Sequence, residues 1–157
     1  EKEENSASAM VKMGKDSAGN LYVLAADARW VEFPALVKWM DEVGGPHYVE
    51  QKASGKSAVQ TLRAAGRHAK EVEISGPAND KISRAKLASV PVEGKRVFVL
   101  SSVYRYLLHD ERQGLTKFPN GPHDDLNDAF VQAINRLWKR PTLKLTIFGQ
   151  RDEQEKR

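Results

Sequence analysis

The order in which the apolar spacing changes along this chain constrains its fold more than any other feature. Two short apolar runs around the turn at Gly19-Asn20 predict a β-hairpin over residues 7–24. After the hairpin, segments with helical spacing alternate with short strand-like runs. A hairpin followed by alternating helices and strands predicts an α/β domain with a mixed central sheet that is flanked by helices.

The elements after the hairpin are placed by their apolar positions and their stop signals. Pro34 suits the first turn of a helix, whereas Gly44-Gly45 and Gly66 suit helix ends. The run at residues 47–50 reads as a buried strand. The expected helices cover residues 33–40, 58–65, 80–89 and 104–112, and the expected strands cover residues 47–50, 70–74 and 96–100.

The last helix has the clearest pattern in the sequence. Its apolar residues recur at i, i+4, i+7 and i+11, which predicts one buried stripe of Leu126, Phe130, Ala133 and Leu137. Aspartates at its start are expected to cap free backbone N–H groups and to suit the positive end of the helix dipole. Pro141 is expected to end this helix. We therefore expect one domain over residues 1–150, followed by a charged tail over residues 151–157.

The composition excludes several classes of protein. The 157 residues are 40% hydrophobic and 29% charged, which is typical of one soluble globular domain. The absence of Cys excludes a disulfide scaffold, a Cys-ligated zinc site and a thiol nucleophile. No apolar run approaches the roughly 20 residues of a membrane span, and no signal peptide opens the chain, so we expect no membrane association. The sequence also lacks a complete phosphate-binding loop for ATP hydrolysis.

Positive charge is concentrated in the middle of the chain. The whole sequence has a net charge of +4, but residues 52–96 contain ten basic and four acidic residues and therefore carry +6. The remaining residues sum to −2. A basic middle flanked by acidic residues suits a polyanionic ligand held beside carboxylates. Charge alone favours the simpler alternative, which is a solvated basic surface.

Two acidic regions of the sequence contain the residue types that form metal sites. Glu50 ends a strand, where ligand sites of α/β sheets gather. Asp124, Asp125 and Asp128 lie at the start of the last helix, within reach of one another. Mg²⁺ commonly binds one or two such carboxylates together with a substrate phosphate. The structural alternatives are an ion pair between Glu50 and Lys52, and helix capping by the aspartates.

Four short motifs occur in a fixed order along the chain. They are E-x-K-x-S-G at residues 50–55, K-x-x-R-A at residues 81–85, Phe118-Pro119, and H-D-D-x-x-D-A at residues 123–129. In this order they resemble the nuclease domain of the large terminase subunit of tailed bacteriophages, the motor-nuclease that cuts and packages viral DNA. The resemblance covers nearly the whole chain. It implies a ribonuclease-H-like fold and a metal-dependent DNA endonuclease.

The resemblance also implies roles for individual residues. Carried over by motif, Glu50, Asp124 and Asp125 would be catalytic and would bind two Mg²⁺ or Mn²⁺ ions, which lie about 4 Å apart in such sites. Asp128 would be an outer ligand or a structural cap, and His123 would touch or tune the metal site. The candidates for contacts with DNA phosphates are Lys52, Lys56, Lys81 and Arg84.

One acid of the family pattern is not found in this sequence. The family carries its first acid on an apolar strand that would precede residues 1–5, and neither Asp16 nor Asp27 fits it by position. We therefore expect that strand to lie upstream of residue 1. If it were missing, a central strand of the sheet would be absent, and both activity and folding would be in doubt.

The resemblance also implies partners and a location. These are double-stranded DNA, the terminase ATPase domain, the small terminase subunit and the portal or procapsid, in the cytoplasm of the host cell. Two alternatives stay open. One is a DNA-binding or motor-docking module without catalysis, and the other is a different ribonuclease-H-like nuclease such as a resolvase or transposase. The Phe-Pro pair and the His-Asp-Asp run favour a terminase over the second alternative.

Overall fold

The computed structural model of the chain describes residues 7–74 and 80–138. The strands are β1 (Ser8–Lys15), β2 (Leu21–Arg29), β3 (His47–Glu50), β4 (Ala69–Val72) and β5 (Val97–Val99). The helices are α1 (Phe33–Val43), α2 (Ala53–Ala64), α3 (Asp80–Glu93), α4 (Ser101–His109) and α5 (Asp125–Leu137), and Leu115–Lys117 form a 3-10 turn. The predicted order of a hairpin followed by alternating helices and strands is confirmed.

The strands form a mixed sheet flanked by helices, as predicted, but within the described residues they fall into two groups. β1 pairs antiparallel with β2, and β2 pairs parallel with β5. β3 and β4 form a separate parallel pair. The hairpin needs only a short turn, whereas each parallel pair needs a crossover, which α2 supplies between β3 and β4.

The hairpin turn is held by one carboxylate. Asp16 accepts hydrogen bonds from the backbone N–H of Asn20 at 2.8 Å, from the Asn20 side-chain amide at 2.9 Å and from the Tyr22 hydroxyl at 3.0 Å. Gly19 adopts a φ of 84°, a left-handed conformation that glycine takes without steric penalty. These local contacts set the register that places β1 and β2 side by side.

The largest buried side chains of the hairpin pack against the helices. Leu21 packs in one cluster with Val131 and Ile134 of α5, and Val23 packs in a second cluster with Leu126. The predicted stripe of α5 is therefore only partly right: Leu126 is buried, but Phe130, Ala133 and Leu137 are half-buried. The buried arc is wider than one stripe because α5 packs against the hairpin and against α3.

Some element limits differ from the sequence-based expectations. α2 begins earlier than predicted, at Ala53, and α3 continues through Pro91 to Glu93. The prediction that β3 is buried is wrong, because this strand is half-buried and Tyr48 is 37% exposed. Pro141, the expected domain limit at residue 150 and the expected tail lie outside the described residues. In the described part of the chain, no helix is long and apolar enough to cross a membrane.

Candidate functional site

The two acidic regions of the sequence meet at one cavity of about 570 Å³. Glu50 reaches it from the end of β3, and Asp125 and Asp128 reach it from the first turn of α5. Asp124 is not among the described residues that line this cavity. Three of the four predicted carboxylates therefore line this cavity, whereas Asp124, the neighbour of Asp125, does not.

Asp125 is the α5 carboxylate that is held against β1. Its Oδ2 accepts a hydrogen bond of 3.1 Å from the backbone N–H of Ala7, which directly precedes β1. Burial and the nearby charge of Asp124 raise the pKa of Asp125, while the Ala7 hydrogen bond and the charges of Lys52 and His123 lower it. The net shift is upward, so the ionised form is less favourable here than in water. A positive charge in the cavity would relieve this cost.

Glu50 is positioned by the first turn of α2. A Cβ atom added to Gly55 would lie under 3.0 Å from the carbonyl oxygen of Glu50, so only glycine allows α2 to start this close to β3. The Glu50 carboxylate forms an ion pair with the Lys52 ammonium, with 3.2 Å between Glu50 Oε2 and Lys52 Nζ. This is the ion pair predicted as the structural alternative for Glu50. The positive charge of Lys52 also acts on Asp125.

Asp124 and Asp128 share a different partner. Lys81 Nζ of α3 lies 2.6 Å from Asp124 Oδ2 and 3.0 Å from Asp128 Oδ2. Asp124 stands at the N-cap of α5, but its side chain makes no capping hydrogen bond. The predicted capping by this aspartate is wrong, because the carboxylate turns to the ammonium of Lys81 instead of to the first backbone N–H groups of the helix.

His123, Lys56 and Arg84, the other predicted site residues, are not among the described residues that line the cavity. The His123 ring packs edge-on against Trp30 with 5.4 Å between ring centroids, and its charge acts on Asp125. Lys56 is exposed on α2, and Arg84 is half-buried on α3. Thus Lys52 and Lys81 are engaged by carboxylates, whereas Lys56 extends from an exposed helix face.

The donor chemistry of the cavity suits the expected ions, although the set is incomplete. Carboxylate oxygens such as those of Glu50 and Asp125 are the hard donors that Mg²⁺ and Mn²⁺ take. In residues 7–74 and 80–138, however, no group of three His, Cys, Asp or Glu side chains could hold a metal ion. Glu50 and Asp125 have the donor chemistry of metal ligands but do not form a complete set within these residues.

The terminase RNaseH-like domain family matches residues 5–137 of the 157-residue chain. The chain belongs to this family. The match extends from before β1 to the last residue of α5 and includes every residue predicted for the site. It confirms the resemblance and the ribonuclease-H-like fold that the motifs implied. No curated protein and no solved structure matches the chain.

In this terminase domain, the cavity separates the two groups of strands. Its walls include the consecutive residues 7–13 along β1 and 47–50 along β3. Consecutive residues point to alternate faces of a strand, so the cavity is bordered by the edges of β1 and β3. Neither edge pairs with another strand among the described residues. The gap between the two groups is therefore a break in the sheet beside Glu50 and Asp125.

Two residues of the terminase domain at this gap were missed by the sequence analysis. Gln132 lines the gap, and its Nε2 is buried with no hydrogen-bond partner among the residues that the structure describes. The Arg136 guanidinium lies 3.3 Å from the centre of the Tyr48 ring and joins α5 to β3 across the cavity. Both follow Asp128 at intervals of four residues, so the same helical spacing that predicted the buried stripe could have found them.

Proposed function

We propose that this domain is the metal-dependent DNA endonuclease of a terminase large subunit, which cuts concatemeric viral DNA during genome packaging. The observation that carries the proposal is the convergence of Glu50 and Asp125 on one cavity in a chain of the terminase RNaseH-like family. These carboxylates come from residues that are 75 positions apart in the sequence. Their convergence is expected for a site that collects ligands from a strand end and a helix start.

Glu50 and Asp125 hold the divalent cations in this proposal, with Asp124 and Asp128 beside them. When bound, Mg²⁺ or Mn²⁺ ions supply an activated water and stabilise the leaving oxygen of the phosphodiester. The protein keeps both ligands in place before any cation arrives. The Ala7 N–H orients Asp125, and the close approach of Gly55 fixes the backbone at Glu50.

The third carboxylate of the family pattern is assigned to a strand that fills the gap between β1 and β3. A strand in this gap would lie about 4.8 Å from each edge and would satisfy the backbone groups of both. The buried Nε2 of Gln132 would gain an acceptor from that strand. Ala129 and Ala133 also line the gap, and their small side chains leave room for a neighbouring backbone.

DNA is the proposed substrate, and the basic segment is the proposed contact surface. Lys52, Lys56, Lys81 and Arg84 are assigned to backbone phosphates, which position DNA without reading its sequence. We therefore expect weak sequence preference and binding that weakens with salt. Within the same proposal, the domain works with the terminase ATPase domain, the small terminase subunit and the portal or procapsid in the host cytoplasm.

One observation favours a second function, a DNA-binding or motor-docking module without catalysis. Each predicted carboxylate is already engaged: Glu50 by Lys52, Asp125 by the Ala7 N–H, and Asp124 and Asp128 by Lys81. A module of this kind would bind DNA in a salt-sensitive manner and would not cut it in the presence of any metal ion. Family membership favours a terminase over the resolvase and transposase alternatives.

The proposal is tested by incubating the protein, with the strand that is proposed to supply the third carboxylate included, with supercoiled plasmid DNA and Mn²⁺. We expect relaxed and linear products from the parent chain, and no products from Glu50→Gln or Asp125→Asn. The control is Asp41→Asn, which removes an exposed carboxylate that pairs with Arg67 and does not line the cavity, and it should cut normally. Cutting that survives both site substitutions would refute the assignment. DNA binding without cutting by the parent chain would favour the module.

A further inference from the structure

The loop between β2 and α1 exposes apolar side chains to solvent. Within residues 30–33, Trp30 is 40% exposed, Val31 is 36% exposed and Phe33 is 37% exposed. Surface loops are usually polar, and a cluster of exposed apolar side chains commonly marks a binding surface. The loop therefore has the character of a contact surface for a ligand.

The pairing of β1 with β2 places this loop at the end of the sheet that holds Asp125. Ser8 at the start of β1 pairs with Arg29 at the end of β2. The residues just beyond this pair are Ala7 and Trp30, which the antiparallel register brings to the same end of the two strands. The N–H of Ala7 donates to Asp125. Trp30 therefore follows the strand end that is next to a carboxylate of the candidate site.

A ring contact ties Trp30 to the start of α5 as well. The Trp30 ring packs edge-on against the His123 ring, with 5.4 Å between the ring centroids. His123 lies two residues before Asp125 in the sequence. The strand pairing and the ring contact thus place Trp30 on the same side of the domain as the predicted carboxylates.

Exposed cations accompany the same carboxylates. Lys52 pairs with Glu50, but its side chain is 66% exposed. Lys81 pairs with Asp124, and its side chain is 40% exposed. An exposed aromatic ring near exposed cations is the combination that binds single-stranded nucleic acid, because bases stack on the ring while phosphates meet the cations.

The size of the loop favours a nucleobase over a protein partner. A stable protein interface uses about 20–30 residues from each partner, whereas this loop offers three apolar side chains. One indole ring is large enough to stack on one base. A base within a duplex has both faces covered by its neighbours, so the ring can stack only on a base that has left the duplex stack.

We infer that Trp30 stacks on an unpaired base of the DNA strand bound beside Glu50 and Asp125, and that the domain therefore favours DNA that is locally unpaired at this site. Trp30 is then a DNA-contacting residue that selects the structure of the DNA. The inference rests on the proposed function because it takes DNA as the ligand of this site. It concerns binding alone and requires no metal ion.

The test measures DNA binding by fluorescence anisotropy in EDTA, with the same form of the protein as in the plasmid assay. The probes are a labelled duplex and the same duplex with a central run of mismatches. We expect the parent to bind the mismatched duplex more tightly than the paired one. Trp30→Ala should weaken binding to the mismatched duplex about tenfold, the effect of losing one base stack, and should change binding to the paired duplex little. Trp30→Phe keeps an aromatic ring and should retain most of the preference.

The matched control is Phe98→Ala. Phe98 is an exposed aromatic residue as well, at 47%, but it pairs with Tyr22 near the opposite end of β2. This variant should keep the preference for mismatched DNA, and a loss as large as that of Trp30→Ala would contradict the inference. Thermal unfolding of each variant is recorded in parallel. A merely structural role of Trp30 would weaken binding to both probes by the same factor and leave the preference unchanged, which would overturn the inference.

The outcomes distinguish this inference from the proposed function. If the parent cuts plasmid DNA but shows no preference for the mismatched duplex, or keeps its preference in Trp30→Ala, the inference is overturned and the proposed function stands. If the preference depends on Trp30 while the parent does not cut DNA, the inference is supported and the proposed nuclease function fails. If the parent binds neither probe, both fail.

Discussion

Replacing Gly55 with Ala has two opposite effects on stability. Ala favours the helix more than Gly does, but its Cβ atom makes a steric clash beside the candidate site. Gly55 is the third residue of α2 and is buried. In a helix interior, Ala is favoured over Gly by about 1 kcal/mol. The added Cβ would, however, lie under 3.0 Å from the Glu50 carbonyl oxygen and 3.1 Å from Val49 Cγ1, where ordinary contacts are 3.4–4 Å.

The close contact outweighs the helix preference. The atom that the new methyl group meets first is a backbone oxygen, which cannot rotate away as a flexible side chain can. Forcing extra atoms into a packed site costs about 1–3 kcal/mol. Because the overlap here is severe, we take the upper end of that range and expect a net loss of about 2 kcal/mol after the helix gain is subtracted.

This loss is measured by thermal and urea unfolding followed by circular dichroism. For a chain of this size, 2 kcal/mol lowers the Tm by roughly 4–8 °C. The control is Ser57→Ala at an exposed position of the same helix, which should leave the Tm unchanged or slightly higher. Because α2 must move away from β3, Gly55→Ala should also weaken the Mn²⁺ binding that is proposed for Glu50. A higher Tm for Gly55→Ala would refute the steric argument.

Four further substitutions test the packing and the electrostatics. Leu126→Ala empties a fully buried position and should cost about 2–5 kcal/mol, which a urea titration would detect; a loss below 1 kcal/mol would contradict its core position. Asp125→Asn should raise the Tm of the metal-free protein at pH 7, because burial raises the pKa of Asp125, and this gain should shrink as the pH falls towards 3.8. His47→Gln should flatten the loss of stability below pH 6.5, because burial lowers the pKa of His47 and protonation therefore opposes folding; an unchanged urea midpoint profile would refute this. Asp16→Ala should lower the Tm at pH 7, and its difference from the parent should shrink as the pH falls below 3.8, because the Asn20 hydrogen bond lowers the pKa of Asp16 and the carboxylate becomes protonated only below that value.

The local elements of this fold were predictable because their signals lie within a few residues of one another. The Gly-Asn turn between two apolar runs predicted the hairpin, and Pro34 and Gly44 marked the two ends of α1. The helical spacing of the last segment predicted α5 and its acidic first turn. Errors were mostly at element ends, such as the extension of α3 through Pro91, where packing outweighs local preference.

The partners of the charged side chains were not predictable in the same way. Asp124 was expected to cap its own helix, because an aspartate at the start of a helix commonly accepts a hydrogen bond from one of the first backbone N–H groups. Its actual partner, Lys81, is 43 residues away and reaches it only because α3 packs on α5. The ion pair between Glu50 and Lys52 was foreseen, since two residues of separation place both side chains on one side of the strand end.

By itself, the sequence determined the order of strands and helices, the family motifs and the residue types of the site, because each depends on neighbouring residues. The tertiary structure alone decided which carboxylates share the cavity, that Asp124 pairs with Lys81, and that the described strands fall into two groups on either side of the cavity. These features depend on contacts between distant elements. Such contacts form only when apolar faces such as those of Leu21 and Ile134 are buried together, and the charged groups then take the partners that this packing brings within reach.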